Sequence, residues 1–194
     1  MAKSASKIPN HILETISLDV SPKHWLATAR KPRASANLLF IEYENEQSKF
    51  IDKFERDPDF GGAKPDDDVV VLLLGLRIEN LLKGLFVGAV KPPLGKVQKL
   101  KDLKIPGAPH ELEPLADEVN KLLQIEFSEE ERELLQALEY YIRWRGRYPS
   151  ATDVENSIPI DDKGFFKKFI LFYPRDHCAV ISLYDKLEGE LEKL

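Results

Sequence analysis

The sequence lacks most of the residues and spacings that mark a site. It holds one cysteine, Cys178, so an internal disulfide is excluded. Its four histidines, His11, His24, His110 and His177, are scattered and form no H-E-x-x-H or similar ligand spacing, so no metal is expected. There is no Gly-rich phosphate loop of the G-x-G-x-x-G or G-x-x-x-x-G-K type, and no cofactor is expected. No serine sits in a G-x-S-x-G setting, which removes support for a hydrolase triad. Charge of one sign is also lacking. Charged residues make up 31% of the chain, both signs are mixed, and the net charge is only -5. A strongly basic chain would have pointed to nucleic acid, and this one does not. Finally, there is no long uncharged apolar run. The most apolar stretch, Val69 to Val90, carries Arg77, Glu79, Asn80 and Lys83 near its middle. Charges there are costly in lipid, so it reads as a core helix and no membrane association is expected. Met1 to Asn10 has lysines but no apolar run behind them, so no secretory signal is expected. The expectation is a soluble, cytoplasmic protein.

The chain does have helical periodicity. Its 194 residues are 43% apolar, enough for one buried core. Residues 1–20 read as a loose arm and 21–194 as a single domain. Ser21-Pro22 resembles a helix start, with Trp25, Ala29, Ala36, Leu39, Phe40, Tyr43, Phe50 and Phe54 following at helical spacing. The pattern predicts one long helix, kinked near Pro32. Asp66, Asp67 or Asp68 is placed to cap a second helix, apolar on most of its surface and therefore central. Within it, Glu79 and Lys83 are spaced to pair; Gly84 and Gly88 are spaced for close helix contact and equally fit a weakened helix end. Lys91 to Pro109 is a connector carrying Lys96, Lys99, Lys101 and Lys104, read as solvated. A third helix opens near His110. Ser128-Glu129-Glu130-Glu131 is a capping box that opens a fourth, which Gly146 and Pro149 end. Phe165 to Tyr173 is apolar and reads equally as helix or strand. Val180, Leu183, Leu187 and Leu191 indicate a closing helix. The expected architecture is all-α, a four- to five-helix bundle with a C-terminal helical extension.

Three places invite a chemical reading. Arg143-Trp144-Arg145-Gly146-Arg147-Tyr148-Pro149 interleaves three arginines with aromatics, a pattern suited to phosphates and stacked bases. The same residues equally plug a core and cap helix carbonyls. His110 beside Glu111 has the chemistry of a neutral-pH acid or base. A pocket lined by Trp25, Tyr141 and Trp144 is a third reading. Cys178 is expected to be a small buried apolar residue.

The run Arg77-Ile78-Glu79-Asn80-Leu81-Leu82-Lys83-Gly84 resembles the second helix of HEPN-like proteins. Pro109-His110-Glu111-Leu112 is similar to a Gly-His-Asp/Glu-Leu helix start in some bacterial members, and Trp144 through Pro149 to a W-x-G-R-Y-P segment of related ones. The resemblance implies a helical bundle, often dimeric, and in active members metal-independent RNA cleavage by an arginine with a histidine four to six residues on. Here Arg143 is followed at five residues by Tyr148, and no arginine has a histidine at that spacing. Tyrosine, with a pKa near 10, does not replace histidine as a neutral-pH proton carrier. The expectation is therefore a non-catalytic module acting by self-association, as a homodimer, or by binding a partner protein. The alternative is an RNA-binding protein or divergent ribonuclease of a toxin or phage-defence system. It would use Arg143, Arg145, Arg147 and Tyr148 on RNA and His110 as acid or base.

Overall fold

The computed structural model describes residues 21–31, 33–62, 67–92, 103–107, 109–145, 171 and 174–194, with the side chains of 33–36, 144 and 145 outside that description. Among the described residues there are six α-helices and one π-helical turn, and no strand. They are α1 (Pro22–Arg30), α2 (Arg33–Arg56), α3 (Asp68–Val90), α4 (Glu113–Leu123), α5 (Glu129–Tyr140) with the π-turn Tyr141–Arg145, and α6 (Arg175–Glu192). The all-α expectation holds. Residues 1–20, most of Lys91 to Pro109, and Phe165 to Tyr173 apart from the buried Leu171 lie outside the described residues.

The predicted long first helix is two helices, α1 and α2. The first ends at Arg30 and the second begins at Arg33; the sequence between them holds a proline, which supplies no backbone donor to continue the ladder. Trp25 and Ala29 anchor α1 in the core. Tyr43 and Gln47 do the same for the first half of α2.

Helix α3 is the centre. It packs against α1, α4, α5, α6 and the π-turn, and to a smaller extent against α2. Ile78, Leu81, Leu82 and Leu85 have no solvent exposure. Each such side chain contributes about 1.5–3 kcal/mol of burial. Its apolar residues run round most of the cylinder because neighbours cover it on several sides. Gly84 and Gly88 sit where other helices come closest. A Cβ on Gly84 would stand 2.9 Å from the Trp25 Cβ and 2.7 Å from a Leu191 methyl; one on Gly88 would meet Leu194 at 2.7 Å and Pro22 at 3.1 Å. The glycines let α1 and the end of α6 approach α3.

Two local expectations are corrected. Asp67 does occupy the cap position of α3 but makes no side-chain cap bond. Its carboxylate lies 3.3 Å from Nε2 of His177 instead. Cys178 is exposed, not buried. His177, one residue earlier, is fully buried between Phe40 and Tyr43, with ring centroids 5.8 and 5.5 Å away. On a helix, neighbours in sequence point about 100° apart, so only one of the two faces the core.

The capping box opens α5 as predicted. Glu131 N–H donates to Ser128 Oγ at 3.1 Å, and Ser128 N–H donates to Glu131 Oε2 at 2.8 Å. Glu131 also accepts from Lys186 at 2.8 Å, which ties α6 to the start of α5.

Candidate functional site

His110 does not open a helix. It lies in the turn before α4, at a positive φ of 72° that histidine tolerates better than most residues. That backbone conformation turns its ring toward α3. Nδ1 stands 3.0 Å from Glu79 Oε2. The carboxylate can only accept there, so Nδ1 is the donor. The Glu79 side chain is 4% exposed and that of His110 is 29%. A buried acid therefore orients an imidazole that solvent reaches.

Glu79 also holds Lys83, at 2.5 Å. The i,i+4 pair read from the sequence is present, and its ammonium lies over the Trp25 ring at 5.7 Å. One buried carboxylate thus has two cationic or donating partners, which its burial requires.

The turn is fixed from the other side by α5. Leu112 N–H, one of the donors that the start of α4 leaves open, donates to Glu139 Oε2 at 2.9 Å. Glu139 Oε1 accepts from Arg143 Nη1 at 3.3 Å, and Glu111 lies 3.7 Å from the same nitrogen. His110 and Arg143, the two candidate catalytic residues, are therefore brought to the same turn through Glu111. Gln136 donates to Glu113 at 2.8 Å, and Arg132 pairs with Asp117 at 2.8 Å, closing the α4–α5 seam.

The charges here compensate one another. Glu79, Glu111 and Glu139 face Lys83 and Arg143, with His110 between them. A phosphate approaching Arg143 would have to displace two carboxylates, and like charge opposes it. The arrangement suits holding a turn and orienting an imidazole better than binding a polyanion. Arg147 and Tyr148 lie outside the described residues, as does the side chain of Arg145. Trp25 and Tyr141, read from the sequence as lining a pocket between the helices, are buried in the core, and the side chain of their third member, Trp144, lies outside the described residues. Among the described residues no group of three histidines, cysteines or acids is placed to hold a metal ion, and no helix is long and apolar enough to cross a membrane.

Glu79 as the partner of His110, and Glu139 as the bridge to Arg143, were not found from the sequence. The available signal was Glu79 itself, an acid on a helix that is otherwise apolar nearly all round. A buried charge implies a partner.

A second feature is the far end of α2. From Ser48 to Asp59 every side chain is exposed except Phe50, which is half-buried. Phe50 stacks on Phe54 at 6.4 Å and meets Phe60 edge-on at 5.9 Å. Ile51 and Phe54 are 45% and 49% exposed. They continue the stripe that Tyr43 and Gln47 bury against the body, one and two turns further along. No protein-family model, curated protein or solved structure matches this chain.

Proposed function

We propose that this protein is a non-catalytic, HEPN-like helical module that works by pairing with a second copy of itself through the projecting end of α2. The observation that carries the reading is the uncovered continuation of that helix's core-facing stripe, with Ile51 and Phe54 in solvent. Exposed aromatic and branched residues in one contiguous stripe are characteristic of contact surfaces. The charges favour a second copy as the occupant. Glu42, Glu44 and Glu46 precede the stripe, and Lys49, Lys53 and Arg56, with Asp52 and Glu55 among them, accompany it. An antiparallel partner helix sets each acidic segment against the other chain's more basic one, the isologous arrangement of a two-fold dimer.

The test is gel filtration with light scattering on the full chain, together with the double variant Ile51→Lys/Phe54→Glu. The wild type is expected to elute as a dimer and the variant as a monomer of unchanged melting temperature. A monomeric wild type at concentrations well above those of routine purification would sink the reading.

The oriented imidazole of His110 supports a second reading, an RNA-directed protein or divergent ribonuclease. Glu79 accepts from its Nδ1 and the ring is partly exposed, an orientation suited to a general acid or base. The pairing of Arg143 with Glu139 and Glu111 weighs against it. Nuclease-sensitive absorbance at 260 nm in the purified protein, lost in Arg143→Ala and Arg147→Ala, would favour RNA over self-association alone.

A further inference from the structure

Arg77 on α3 is 4% exposed, and its surroundings are unusual for a buried guanidinium. Nε donates to the Ala29 carbonyl at 3.3 Å, one of the carbonyls left open where α1 ends. The guanidinium lies over the Tyr184 ring, 3.9 Å from its centroid. No carboxylate among the described residues is within ion-pair distance of it. A buried charge normally has an opposite charge beside it, because desolvation is otherwise uncompensated. Tyr184 is shared between two partners: its phenol hydrogen-bonds with the Arg77 side chain and donates to Glu188 at 2.8 Å, and Glu188 accepts from Arg30 at 2.7 Å.

Arg77 borders a cavity of about 180 Å³ between α2, α3 and α6. Phe40, Leu74 and Ile181 give it apolar walls. Asn37 and Asp185 also line it and are exposed, so they stand at its open side. Asp185 is too far from the guanidinium to pair with it directly, and its charge at the opening disfavours a dianion. The volume corresponds to about six heavy atoms at about 30 Å³ each. One fixed cation at the back, apolar walls and an acid at the rim select a small monoanion with a short apolar tail.

We propose that this cavity binds a short-chain monocarboxylate. The carboxylate takes the place of the missing counter-charge on Arg77, and the tail lies against Phe40, Leu74 and Ile181. A planar carboxylate matches the guanidinium fork. This site is separate from the end of α2 and does not depend on self-association.

The experiment is calorimetric titration and thermal shift of the full chain with butyrate, 1-butanol and inorganic phosphate. Butyrate is expected to bind with a dissociation constant of about 1–10 mM, the range about six well-placed heavy atoms supply. It should raise the melting temperature, while butanol and phosphate should do neither. Ile181→Trp fills the opening from a surface position and keeps Arg77; it should abolish the butyrate response. Asp185→Asn should tighten butyrate about threefold or more by removing the rim charge. Arg77→Met should remove butyrate binding if the variant folds, and Ile181→Trp decides the matter if it does not. The proposal is overturned by any of three results. Butyrate gives no saturable response, butanol or phosphate matches it, or a folded Ile181→Trp binds it as the wild type does.

Discussion

At the scale of single residues, the decisive feature is how few buried charges there are and how each is held. Glu79 is the acid on which the α3–α4 junction depends, with Lys83 and His110 on its two oxygens. Lys83→Met leaves a buried carboxylate with one partner. It is expected to cost about 3 kcal/mol, the low end for breaking a buried pair, since Lys83 and His110 retain some exposure. Lys121→Met, which breaks a pair with Glu118 on the open face of α4, should stay within about 0.5 kcal/mol. Urea denaturation of both variants checks the contrast. Tyr184 makes a pH prediction. Burial, the largest cause, pushes its phenol above the usual value of 10.0; the bond to Glu188 adds to this and Arg77 opposes it. The folded state therefore keeps the neutral phenol after the unfolded chain has lost its proton. The stability it contributes is fully present below pH 10.0 and is lost as pH rises from there through the folded value. Tyr184→Phe should flatten the wild-type fall in stability above pH 10.0, as seen in unfolding curves taken across that range.

At the scale of elements, close approach overrides intrinsic propensity. Alanine normally gains about 1 kcal/mol over glycine inside a helix. At Gly189, where an added Cβ meets nothing within 4 Å, Gly189→Ala should stabilise by up to about that amount. At Gly84 the same change drives a methyl to 2.9 Å from the Trp25 Cβ, a backbone-proximal atom that cannot swing aside. Gly84→Ala should therefore destabilise, by about 1–3 kcal/mol. Thermal unfolding of the pair separates the two effects, and a stabilised Gly84→Ala would show that α1 shifts freely on α3. Sequence pattern found these elements because helix formation is local. The Ser128 box, the proline between α1 and α2 and the 3.6-residue stripes all lie within a few residues of the structure they specify. The start of α4 was misplaced by three residues. Its cap is not a neighbouring side chain but Glu139, supplied by another helix.

At the scale of the whole molecule, stability is uneven by construction. Helix α3 is enclosed by its neighbours, whereas α2 leaves the body after Gln47. In hydrogen exchange, the slowest amides should belong to α3 and the amides of residues 48–56 should be among the fast ones in dilute protein. Raising the protein concentration should slow residues 48–56 selectively, because pairing covers them. Exchange there that is independent of concentration would argue against a second copy as the occupant.

The sequence by itself determined that the chain is helical, where most helices lie and which face of each is apolar. Those properties follow from backbone hydrogen bonds and side-chain spacing within a turn or two. It also contained the phase of the last helix: His177 is three residues before Val180 on the buried stripe and Cys178 is not, so periodicity was the better guide to Cys178 than its residue type. Only the tertiary structure decided which polar groups meet. Glu79 reaches His110 across 31 residues of sequence, Leu112 finds Glu139 across 27, and Arg77 finds the Ala29 carbonyl across 48. No local rule selects those pairs. They form because a folded core leaves a few charges and open helix ends inside, and each must be matched by whatever group the packing brings within reach.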